Sequence, residues 1–197
     1  MRILITGSGG FIGSHLASHL TNHEITKLDK RLEDDIESYF KDQDLVIHLA
    51  AKLSKHTDEE IYRVNVQGTE KVAQLSLKYG CKLINISSVS MHDDSTYGRS
   101  KALGEKVVEK YISEGLKAIT IRPCGITRRK YLPWLIDVNW YPVENLVRDI
   151  AKLINEDPFD YRVIEIKGRG NWGHPLKKKL HWVIKKIKYL KSHEDLR

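Results

Sequence analysis

The 197-residue sequence predicts an α/β domain built on a doubly wound parallel sheet. Three observations predict it. Short β-branched runs alternate with longer stretches of helical periodicity, the order expected of βαβ units. Several of the short runs (ILIT, LVIHLA, LINIS) are apolar almost throughout, as strands are when helices cover both faces of a sheet. The first run meets a glycine-rich turn at once, and a helical pattern follows it.

In chain order, strands are expected at Arg2–Thr6, Ile25–Leu28, Asp44–Leu49, Lys82–Ser87, Leu116–Ile121 and Arg162–Ile166. Helices are expected at Phe11–Thr21, Asp35–Phe40, Asp58–Tyr79, Tyr97–Ser113 and Val143–Asn155. The stretch Gly125–Tyr141 has no regular pattern. No repeat or Pro/Gly-rich linker divides the chain, so residues 1–174 read as one domain, followed by a distinct tail over 175–197.

Composition narrows the function classes. Apolar residues at 41% and charged residues at 30% are ordinary for a globular protein that buries a core. The opening MRILITG is too short for a signal peptide, and no apolar run approaches the roughly 20 residues of a membrane span. Two cysteines, Cys81 and Cys124, without a CxxC or His/Cys cluster, indicate neither a disulfide framework nor a metal site. A reducing cytoplasm is the expected location. The formal charge is +7, but residues 1–166 carry 23 Lys/Arg against 24 Asp/Glu, whereas residues 167–191 carry nine and no acid. The body is close to neutral and only the tail is basic, without any motif for reading nucleic acid.

The turn itself is TGSGGFIG, residues 6–13, with four glycines in seven positions. Such a turn lets backbone approach a pyrophosphate, and the helix behind it offers unpaired N–H groups and a partial positive charge. Asp29 follows 22 residues after Gly7, at the end of the second strand, where a carboxylate accepts hydrogen bonds from an adenosine ribose. These features point to dinucleotide binding; the bland reading is a turn that needs glycine only to turn.

With TGSGGFIGSHL, KLD, DDI, DLVIHLAA, NVQGTEKV, INISS, YGRSK and IRPCGIT in this order, residues 1–155 resemble the short-chain dehydrogenase/reductases. The resemblance is to their extended branch of nucleotide-sugar epimerases, dehydratases and reductases, which have a Rossmann-type sheet. It implies that Gly7, Gly10 and Gly13 cradle the cofactor pyrophosphate, with Phe11 and Ile12 setting the first helix against it. Asp29 would hold the adenosine ribose and favour NAD over NADP, while Lys30 and Arg31 offer charge for a 2′-phosphate, so NADP is not excluded. Asp35 and Ile36 would lie beside the adenine, and Leu49, Ala50, Ala51 and Pro123 would line the cofactor. His48 is expected to be a satisfied strand-end histidine. Asn65 matches a position that braces neighbouring strands and a proton-relay water; an asparagine bonding backbone at the sheet edge is the plainer alternative.

Tyr97 and Lys101 lie four apart, on one face of the helix that follows INISS, where the family keeps its catalytic pair. A phenol with a pKa near ~10 needs help to exchange protons at neutral pH, and a nearby ammonium lowers that pKa. By resemblance Tyr97 is the general acid or base, Lys101 also grips the nicotinamide ribose, and Ser88 bonds the substrate oxygen, with Ser87 and Ser90 as rivals.

The likeness has gaps. The loop from Ser88 to Tyr97 is short, and the region between Pro123 and Val143, where family members place substrate-gripping elements, offers only CGITRRKYLPWLIDVNWYP. There Arg128, Arg129 and Lys130 are candidates for a diphosphate, and Trp134, Trp140 or Tyr141 for stacking a base; a basic loop with anchoring aromatics is the alternative. The family's Asp-Glu of dehydratases is replaced by Val89 and Ser90, which favours an epimerase or reductase. The expected function is thus NAD-dependent hydride exchange on a nucleotide sugar, with a non-catalytic NAD(P)-binding module as the alternative, and the resemblance implies a homodimer. In the tail, Leu176, Leu180, Val183, Ile184, Ile187 and Leu190 share one helical face with lysines opposite. That face is expected to dock on the domain rather than on an anionic membrane.

Overall fold

The computed structural model describes residues 1–128, 140–156 and 159–167. The tail from Pro175 and the candidates Arg129, Lys130 and Trp134 lie outside these residues. Six strands form one sheet: β1 (Arg2–Thr6), β2 (Glu24–Leu28), β3 (Leu45–His48), β4 (Lys82–Ile86), β5 (Ala118–Pro123) and β8 (Val163–Ile166). Their order is β2-β1-β3-β4-β5-β8, and every neighbouring pair is parallel. A second, two-stranded parallel ribbon pairs β6 (Gly125–Thr127) with β7 (Trp140–Pro142), in the stretch where the sequence shows no pattern.

Strand alternation explains why the runs are apolar throughout. Ile3, Ile5, Ile47, Ile84 and Ile121 face one layer, where Leu16 and Leu20 from α1 (Phe11–His19) and its C-cap pack with α5 (Val143–Ile154). Leu4, Val46, Leu83 and Ala118 face the other, against Val72 and Leu75 of α3 (Gly68–Lys78) and Val108 and Tyr111 of α4 (Thr96–Ser113). The core therefore lies in two sheets of side chains, one on each face. The connections depart in opposite directions from β1 and β3, so a crevice opens at their C-terminal ends, where such folds bind ligands.

Two helices differ from expectation. The pattern over Asp58–Tyr79 is not continuous: α2 (Asp58–Tyr62) passes into a π-helical turn at Arg63–Gln67 before α3 begins. Asn65 lies in that turn, and its carbonyl oxygen would be 2.9 Å from a Cβ at Gly104 of α4. The widened turn thus fills the space a side chain at Gly104 would need. The predicted helix at Asp35–Phe40 shrinks to a 3₁₀ turn, Glu37–Phe40, because Asp35 Oδ1 takes the Glu37 N–H (3.1 Å).

Candidate active site

At the C-terminal end of β1 the chain turns on Gly7, which has φ +68° and donates its N–H to Leu28 O (2.9 Å). A Cβ there would stand 2.8 Å from the backbone nitrogen of Ala50, so β1 and the segment after β3 touch through backbone alone. A Cβ at Gly13 would collide with the Gly7 carbonyl, which is why α1 can start so close to the strand. Leu49, Ala50 and Ala51 are half-buried along this contact.

Three helix heads differ in how they are finished. For α2, Thr57 forms a reciprocal capping box with Glu60, and Asp58, Glu59 and Glu60 fill the first turn. For α4, Ser95 Oγ accepts the Gly98 N–H (2.9 Å). The head of α1, at Gly10, has neither a side-chain cap nor an acid in its first turn. Its N–H groups and partial positive charge remain for an anion.

Asp29 sits beside this turn with its Oδ1 engaged: Ser8 Oγ donates at 2.8 Å and Gly9 N–H at 2.6 Å. The carboxylate that the sequence directs at a ribose also braces the glycine turn. Asp35 is exposed, but the Ile36 side chain is fully buried in the second core layer, so only its backbone can meet a ligand. His48 behaves as anticipated. Its Nδ1 meets Thr6 Oγ1 (2.7 Å), its Nε2 meets Thr69 Oγ1 (3.1 Å), and burial, with Lys101 adding to it, pushes its pKa down to about 3. It is a neutral structural residue.

Asn65 is buried, and each amide atom is engaged. Nδ2 donates to Lys52 O (2.9 Å) and Ser100 Oγ (3.0 Å), while Oδ1 accepts the Lys52 N–H (2.8 Å). It clamps the loop after β3 to α4, bonding backbone as the plainer alternative has it, at Lys52 beyond the end of the strand.

The short loop after β4 folds back on itself through a 3₁₀ turn, Val89–His92, so that Ser88 reaches Tyr97. Gly98 permits this, since a Cβ there would collide with the Ser90 carbonyl and the Asp93 side chain. Asp93 Oδ1 accepts the Ser95 N–H (3.0 Å) and its hydroxyl, fixing the loop to the helix head. Tyr97 is half-buried, and burial raises its pKa above the ordinary 10.0; hydrogen bonding with Ser88 opposes this, and the charge of Asp93 adds to it. Lys101, only 6% exposed, donates its ammonium to Ile86 O (2.7 Å). Burial lowers its pKa to about 8, and Glu105 acts in the opposite direction. Ser88 Oγ accepts the Ser90 N–H (3.1 Å), while the rival Ser87 is buried with no partner for its hydroxyl among the described residues.

Sequence reasoning missed Glu105 and Arg122. Glu105, 4% exposed, follows Lys101 by one helical turn and is held by Arg122 from β5 through Nε (2.9 Å to Oε1) and Nη2 (2.6 Å to Oε2). Arg122 also reaches Glu165 on β8 (3.5 Å), which pairs with His92 (2.8 Å). The four-residue spacing of Lys101 and Glu105 was the available signal. Pro123 ends β5 as a buried residue, Trp140 is exposed, and the Tyr141 hydroxyl donates to Asp149 (2.6 Å).

Fold and site define a Rossmann-like domain with an open glycine turn and a Ser/Tyr/Lys grouping at the same sheet edge. The chain belongs to the NAD dependent epimerase/dehydratase family, whose model matches residues 3–127. It is 29% identical to the UDP-glucose 4-epimerase of Vibrio cholerae over 165 residues, covering 61% of this chain and 50% of that protein. The chain spans about half the length of the curated relatives it matches. Among solved structures, a UDP-glucuronic acid 4-epimerase from Bacillus cereus, in complex with NAD, superposes with a TM-score of 0.74 at 20% identity, over 86% of this chain and 79% of that one. MoeE5 in complex with UDP-glucuronic acid and NAD gives 0.73 at 20% identity, over 85% and 76%.

Proposed function

We propose that the protein is an NAD-dependent enzyme acting on a nucleotide-activated sugar, by epimerisation or carbonyl reduction. The observation that carries this reading is the meeting of Ser88 with Tyr97, nine residues apart, beside the buried Lys101. The glycine turn fits a dinucleotide. Gly7 and Gly13 leave no room for a Cβ, and the uncapped head of α1 at Gly10, Phe11 and Ile12 suits its pyrophosphate. Asp29 would take the adenosine ribose, Asp35 and the backbone of Ile36 the adenine edge, and Lys101 the nicotinamide ribose. Leu49, Ala50, Ala51 and Pro123 would line the path between. NAD, when bound, supplies reversible hydride acceptance at a sugar carbon.

The remaining chemistry falls to this chain's own residues. Tyr97 exchanges a proton with the reacting sugar oxygen, and Ser88 hydrogen-bonds the same oxygen. Because burial raises the phenol's pKa, Tyr97 holds its proton at neutral pH and is ready to donate it to a carbonyl oxygen. To serve as a base it needs a nearby ammonium to favour the phenolate, and Lys101, one helical turn on, is the candidate for that role. Mixing the protein with NAD or NADH and a panel of nucleotide sugars, with absorbance of the reduced nicotinamide and product analysis as readouts, tests the reading. Absence of NADH binding by calorimetry would sink it. A second reading, a cofactor-binding module without turnover, is favoured by the engagement of Lys101 with Ile86 O; binding without turnover across the panel would select it.

A further inference from the structure

We infer that Arg128 binds the pyrophosphate of a dinucleotide, held over the head of α1 by the ring of Phe11. This rests on the dinucleotide reading above. The glycine turn and the ribbon β6–β7 are far apart in sequence, yet they share a core layer: Ile126 and Tyr141 pack on the same apolar cluster as Phe11 and Ile12, with Val143 and Leu146 of α5 beneath. Arg128 directly follows the last residue of β6, in a bend one position beyond Thr127, so anchoring Ile126 in this layer brings it near the turn. There its guanidinium carbon is 4.9 Å from the centroid of the Phe11 ring. The side chain is exposed, and among the described residues no carboxylate pairs with it.

The electrostatics make this arrangement incomplete without an anion. The α1 head carries the positive end of the helix dipole, with no cap side chain and no acid in its first turn. Bringing a guanidinium that has no carboxylate partner among the described residues onto that head sets like charges together. A diphosphate resolves both at once, accepting backbone N–H groups from the helix and a forked pair of N–H bonds from arginine. The contact with the Phe11 ring holds the guanidinium without using its donors. Two ligands of the proposed reaction contain a diphosphate, the dinucleotide and the nucleotide sugar. Phe11 belongs to the glycine turn, which assigns Arg128 to the dinucleotide.

The test measures binding of NADH, ADP, UDP and adenosine to the full chain by calorimetry, in wild type and in Arg128→Gln and Arg128→Lys. Arg128→Gln is expected to raise the Kd of NADH and ADP about tenfold, the scale of one or two charge-assisted hydrogen bonds. It should leave adenosine unchanged and flatten the dependence of NADH binding on salt. Arg128→Lys should recover part of the loss. Equal NADH and ADP affinities in wild type and Arg128→Gln overturn the inference, as does an equal loss for adenosine. A loss confined to UDP overturns the assignment to the dinucleotide and gives the residue to the sugar's diphosphate. Wild type that binds ADP through Arg128 but does not bind NADH sinks the dinucleotide reading and leaves a diphosphate site. Wild type that binds none of the three phosphorylated ligands sinks both.

Discussion

The two halves of the site differ in how far their polar groups are already engaged. At the glycine turn, the head of α1 is bare and Arg128 lies across it with no carboxylate partner among the described residues. At the Tyr97 half, Lys101 is bonded to Ile86 O, Asn65 to Lys52 and Ser100, and Ser88 to Ser90 N–H. The helix head and Arg128 in the first half are open to a ligand, whereas Lys101, Asn65 and Ser88 in the second would have to exchange protein bonds for ligand bonds. On the proposed function, that asymmetry predicts an order: dinucleotide affinity would come from the turn, and the Tyr97 half would rearrange afterwards.

The largest effect expected concerns the second half. Tyr97→Phe should cut turnover with any active nucleotide sugar by about 10²–10⁴-fold, the usual contribution of a general acid or base, with NADH affinity unchanged. Turnover equal to wild type would remove Tyr97 from the chemistry and collapse the contrast between the halves. The first half is broken at Gly13. Gly13→Ala forces a Cβ into the Gly7 carbonyl, so thermal unfolding should show a loss of about 2–3 kcal/mol, accompanied by failure to bind NADH.

Lys101 gives the comparison a pH signature. Its native pKa of about 8 lies below the ordinary 10.5 because burial disfavours the charged form. Between these values the unfolded chain keeps a proton that the native chain has released, so stability should rise with pH across this window. Thermal unfolding at the two ends should show a contribution of roughly 1–3 kcal/mol that is absent in Lys101→Met. An identical pH profile in the variant would mean that the lysine is not desolvated. The same variant should also bind NADH more weakly if the ammonium leaves Ile86 O for the ribose.

Asp29 separates bracing from binding. Asp29→Asn keeps an acceptor for Ser8 and Gly9 but loses the charge; Asp29→Ala loses both. NADH affinity should fall by about 1–2 kcal/mol in the alanine variant and less in the asparagine variant, which should also discriminate less against NADPH. Equal affinities for all three would confine Asp29 to building the turn. The smallest expectation is a homodimer at micromolar concentration, through a face that includes the exposed Tyr62 of α2 and Leu103 of α4. A monomer in sedimentation runs would remove it.

Much of this was legible in the sequence because it depends on near neighbours. The strand–helix alternation, the glycine turn and the shared helix face of Tyr97 and Lys101 follow from periodicity and turn chemistry over a few residues, while the structural role of His48 was implied by the resemblance. Tertiary structure alone decided what depends on elements meeting across the sheet. It put β8 beside β5, broke the helix after Tyr62 where α4 approaches, and bonded Lys101 to Ile86 O. It also joined Asp29 to Gly9, Glu105 to Arg122 and Arg128 to Phe11, pairs whose partners lie on different elements. Local sequence sets which side chains a helix or strand presents; which of them meet is fixed only when apolar faces pack and the elements acquire their order.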